Sequence, residues 1–67
     1  MTSDLDIYRT AGVLIREHGD EADLVAAQRA DEFLEKGDME GSAVWRRVLK
    51  AIKEIRREEP REGEAVN

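Results

Sequence analysis

His18, Asp20, Glu21 and Asp23 crowd into six positions, and this cluster has the composition of a metal site. One imidazole with convergent carboxylates would hold a divalent cation in an open site. A structural role explains each member more simply. Asp20 follows Gly19 and would cap a helix, while Glu21 and Asp23 would favour that helix's positive end. His18 would sit at the negative end of the preceding helix, at the edge of the core. The expectation is no metal and no cofactor. His18 is also the one histidine, so any acid–base chemistry would fall to it. No serine, threonine or cysteine stands near it to be activated. Ser42 and Thr10 are the other hydroxyls within helical segments, and the five glycines are scattered rather than gathered into a phosphate loop. No catalytic residue is expected, and the chain reads as a non-enzyme.

A second constellation is basic. Arg46, Lys50, Lys53 and Arg57 are spaced four, three and four apart, which puts them on one face of a helix. Such a row could hold phosphates, and the two helices around it could imitate a helix-turn-helix unit. Recognition helices read bases from their N-terminal residues, however, and here those are Asp38, Met39 and Glu40. The simpler reading is a solvated face pairing with acidic residues of the other two helices.

The elements that would position these groups are marked by their ends. His18-Gly19-Asp20 and Lys36-Gly37-Asp38 share one logic: a glycine ends a helix in a left-handed conformation and an aspartate caps the next. Ser3 or Asp4 would cap the first helix, and Pro60 forbids continuation of the last. Between these marks the apolar residues recur at helical spacing. Ile7, Ala11, Leu14, Ile15 and His18 form the first stripe, and Ala22, Ala26, Ala30, Phe33 and Leu34 the second. Val44, Val48, Ala51, Ile52 and Ile55 form the third, widened by Trp45 and Leu49. Tyr8, Phe33 and Trp45, one per helix, are expected to meet in, or at the edge of, a shared core. Gly12 and Gly41 lie inside helical segments at the edge of a stripe. At either, a missing side chain would let another helix approach; this is the expectation for Gly12, while Gly41 could also simply tolerate the first turn after the Asp38 cap. The fold class is therefore all-α: a compact domain of three helices over residues 1–57, with short Gly-Asp turns. Residues 58–67 are expected to form a disordered acidic tail.

Composition narrows the class further. Sixty-seven residues allow one domain with a modest core. The absence of cysteine removes disulfides and thiolate sites and suits a cytoplasmic protein. The N-terminus lacks the pattern of a signal peptide, and no apolar run approaches the roughly 20 residues of a membrane span. Net charge is −5, but residues 45–57 hold six basic groups against one acidic, a local +5 between two acidic stretches. The acidic remainder repels nucleic acid and anionic lipid at long range, so neither nucleic acid nor membrane is the expected partner.

Arg16-Glu17-His18-Gly19-Asp20-x-Ala22 and Gly37-Asp38-x-x-Gly41-x-x-x-Trp45 together resemble a family of small uncharacterised bacterial helical proteins. The resemblance spans roughly Ile7 to Ile55 and implies a stand-alone bacterial domain; it transfers no activity, cofactor or site residue. The third helix carries the functional expectation. Its apolar arc, from Ala51 round to Leu49, covers about 160°, wider than the 100° or so a surface helix needs. Either two neighbours grip this helix, or Trp45 and Leu49 form a contact surface rimmed by Arg46, Lys50, Lys53 and Arg57. The expected function is a protein-interaction or accessory module, with self-association one form of it. A small nucleic-acid-associated regulator using the basic row is the alternative.

Overall fold

The structure, a computed structural model, describes residues 3–58 and is all-α. Helix α1 spans Asp4–His18, α2 spans Ala22–Glu35 and α3 spans Met39–Glu58. A single 3-10 turn, Gly19–Glu21, links α1 to α2, so residues 4–35 form one bent helical stretch. The expected acidic tail lies outside the described residues, apart from Glu58 as the last residue of α3.

Local chemistry accounts for most of the helix ends. The Ser3 hydroxyl caps α1 by accepting from the Asp6 amide at 3.2 Å. Gly19 ends that helix at φ +58, and its amide still donates to the Ile15 carbonyl. At the end of α2 the Asp38 amide donates to Phe33 O at 2.8 Å and the Gly37 amide to Leu34 O at 3.0 Å. That pair of bonds is a Schellman motif, with Gly37 at φ +81 in the position that needs it. Asp38 then caps α3, its carboxylate accepting from the Gly41 amide at 2.8 Å.

Asp20 does not repeat this role. It lies within the 3-10 turn, and Glu21, the residue preceding α2, makes no side-chain cap bond. The chain leaves Gly19 straight into another helical turn, so Asp20 never takes the extended conformation from which a cap reaches forward.

The buried core is Ile7, Ala11 and Leu14 of α1, Ala22, Ala26 and Ala30 of α2, and Val48, Ala51 and Ile52 of α3. Each large aliphatic among them contributes roughly 1.5–3 kcal/mol by leaving water. Helix α2 buries alanines alone. Leu34, read as part of its stripe, is 41% exposed.

Long-range contacts give the topology. The start of α1 reaches α3 where Arg47 donates to Asp4 at 2.6 Å, and the end of α1 reaches it where Arg56 donates to the Gly19 carbonyl. Helices α1 and α3 therefore run in the same sense. Helix α2 returns antiparallel beside α3, with Asp23 against Arg56 at one end and Phe33 over Gly41 at the other.

Of the two interior glycines, Gly41 rather than Gly12 lets a neighbour approach closely. A Cβ on Gly12 would meet nothing within 4 Å, so close packing does not explain it. A Cβ on Gly41 would lie 2.6 Å from Phe33 Cδ1 and 2.9 Å from Asp38 Oδ2. The ring of Phe33 rests on the bare backbone of α3's first turn. The aromatic residues consequently do not gather. Phe33 lies at Gly41, whereas the exposed Tyr8 donates to Glu54 about 20 Å further along α3.

Candidate functional site

Helix α3 positions the candidate site because both its flanks are occupied. Arg47 and Glu54 face α1, where they meet Asp4 and Tyr8. Arg56 faces α2, bonding Asp23 with one nitrogen and the Gly19 carbonyl with the other. This guanidinium ties the corner between α1 and α2 to the last turns of α3. The wide apolar arc is thus gripped on two sides. Trp45 and Leu49 are half-buried and packed against the core cluster.

Directly opposite the buried Val48, Arg46, Lys50, Lys53 and Arg57 project outward in a row about 16 Å long. All four are exposed. None has a hydrogen bond or ion pair with a described residue; the arginines held by carboxylates are Arg29, Arg47 and Arg56. The expectation that the row would pair with acidic groups of α1 and α2 is corrected. Pairing belongs to the flanking arginines, because those flanks are where α1 and α2 lie.

Sequence reasoning missed the cleft between α1 and α3. It has a volume of about 190 Å³ and is lined by Asp4, Tyr8, Arg47, Lys50 and Glu54 among others. Its acids are held: Asp4 by Arg47 and Glu54 by the Tyr8 hydroxyl. The one signal was Glu54 itself, the single acid within the basic segment, set three residues beyond Ala51 on the side of α3 that α1 covers.

The His18 cluster does not converge. His18 is exposed rather than at the core edge, and Asp23 is turned to Arg56. Among the described residues no three histidine or carboxylate groups are placed to hold a metal ion. Ser42 is a different case. It is 2% exposed, and its hydroxyl oxygen has no hydrogen-bond partner among the described residues. Among the described residues no helix is long and apolar enough to cross a membrane. No protein-family model matches the chain, and no curated protein or solved structure matches it either.

Proposed function

We propose that this chain is a non-enzymatic protein-interaction module that receives its partner on the outward face of α3. The observation that carries this reading is the division among the cations. Arg47 and Arg56 are tied to carboxylates, while Arg46, Lys50, Lys53 and Arg57 meet none among the described residues. A row of four like charges repels itself and is relieved by an acidic surface. Leu49, half-buried beside Arg46 and Lys53, supplies an apolar contact within that polar rim. A chain without cysteine suits a cytoplasmic setting for such a module.

The nucleic-acid alternative draws on the same row. Against it stand Asp38 and Glu40 at the entry to α3, and a net charge of −5. A photo-cross-linking residue at Lys53, introduced in the cell that makes the protein, separates the two. Protein adducts that vanish when the other three cations are reversed to Glu are the expected result. Adducts to nucleic acid would move the assignment to the alternative. No adduct at all would refute a docking role for this face.

A further inference from the structure

We infer that the partner on this face is a second copy of the chain, an inference that rests on the docking role proposed for α3. The α2–α3 hairpin carries α1 on one side, at Arg47 and Glu54 of α3. Its other side is formed by Leu24, Ala27, Asp31 and Leu34 of α2, spaced three, four and three apart. On α3 the same side carries Arg46, Leu49 and Lys53, spaced three and four apart. This surface is apolar along its middle: Leu24 is 56% exposed, Leu34 is also exposed, and Ala27 and Leu49 are half-buried. Its two edges have opposite sign. The α2 edge ends in Asp31 and Glu35, the α3 edge in the cation row.

A surface with an acidic edge, an apolar centre and a basic edge is its own complement. A twofold axis running parallel to the hairpin, just outside it, lays α2 of one copy against α3 of the other. The axis preserves height along the helices, and height within the hairpin is fixed by Asp23 against Arg56 and Phe33 over Gly41. At those heights Arg46 of one copy comes level with Asp31 of the second copy, and the stem of Lys53 with Leu24. By symmetry every such pair forms twice. Charge complementarity therefore selects this chain itself over an unrelated acidic surface, which would leave Asp31 facing like charge. The shared face measures about 20 Å by 20 Å. That is about 800 Å² over both copies, below the standard size of a specific interface, so weak, transient association is expected.

Sedimentation equilibrium of the full chain at low salt tests this. Wild type should dimerise, and Arg46→Asp or Asp31→Arg should each weaken dimerisation by roughly tenfold or more. Both positions are exposed, and unchanged thermal melts would show each variant folded. An equimolar mixture of the two variants should regain wild-type association. In each mixed dimer the introduced aspartate faces the introduced arginine, and the native Asp31 of one chain faces the native Arg46 of the other. A wild type that stays monomeric near millimolar concentration, or a mixture no better than its components, overturns the second copy. If Lys53 still cross-links to another protein in that event, the docking face survives and the identity of its occupant falls. If Lys53 yields no adduct, both fall.

Discussion

Replacing Gly12 and Gly41 by alanine, one at a time, should move stability in opposite directions. Alanine favours a helix interior over glycine by about 1 kcal/mol. At Gly12 the added methyl meets nothing within 4 Å, so that gain should appear whole. At Gly41 it would lie 2.6 Å from Phe33 Cδ1 and 2.9 Å from Phe33 Cγ, inside any real carbon–carbon contact. Moving a half-buried ring off its seat costs about 1–3 kcal/mol, as overpacking does. The methyl also comes within 2.9 Å of Asp38 Oδ2, whose partner oxygen caps the Gly41 amide, and a lost cap costs about 1 kcal/mol more. The net loss expected for Gly41→Ala is therefore about 1–3 kcal/mol against a gain of about 1 kcal/mol for Gly12→Ala. Urea unfolding followed by circular dichroism at 222 nm resolves that difference, and melting temperatures should separate by about 10 °C or more. Equal stabilisation by both substitutions would refute the placement of Phe33 on the first turn of α3.

Ser42→Ala should leave stability unchanged or raise it by about 1 kcal/mol, since the hydroxyl is buried without a partner among the described residues; a clear loss in urea unfolding would mean that the hydroxyl is satisfied in solution. Asp38→Ala should cost about 1 kcal/mol and Asp20→Ala less than about 0.5 kcal/mol, because only the first is a cap; equal costs in thermal melts would contradict this. Arg56→Gln should cost about 1–2 kcal/mol, as it breaks contacts to both Asp23 and Gly19, while Arg57→Gln should cost nothing measurable. Chemical denaturation of the two variants side by side checks the contrast.

The helices were legible in the sequence because their ends are local chemistry. Gly19 and Gly37 occupy positive φ, and Ser3 and Asp38 reach forward to amides three residues on. The two Gly-Asp pairs are identical as sequence yet differ in outcome. Whether the chain leaves the glycine through a 3-10 turn or departs into a new helix depends on how α1 and α2 both settle on α3. The basic row was legible by its period. Which arginines find carboxylates was not, because that depends on the rotation of α1 and α2 about α3 and no spacing encodes it. The same rotation decided that Gly41 rather than Gly12 lies under a ring, and that Tyr8 and Phe33 sit at opposite ends of α3. That Arg46 and Lys53 share a face with Asp31 becomes visible only once α2 is known to lie antiparallel beside α3.

The alanines of α2 set the tolerance of the fold to change. Ala22, Ala26 and Ala30 have no rotamers to freeze, so burying them costs no side-chain entropy. They equally leave no slack, since each stands within a few per cent of complete burial. Shortening to glycine removes one methyl and some helix preference, a loss of about 1 kcal/mol. Lengthening even to valine must push two backbones apart. Drift at these three positions is therefore one-sided, with room to shrink and none to grow. The outward positions Leu24, Gln28 and Glu35, on the opposite side of the same helix, are under no such restriction from the fold.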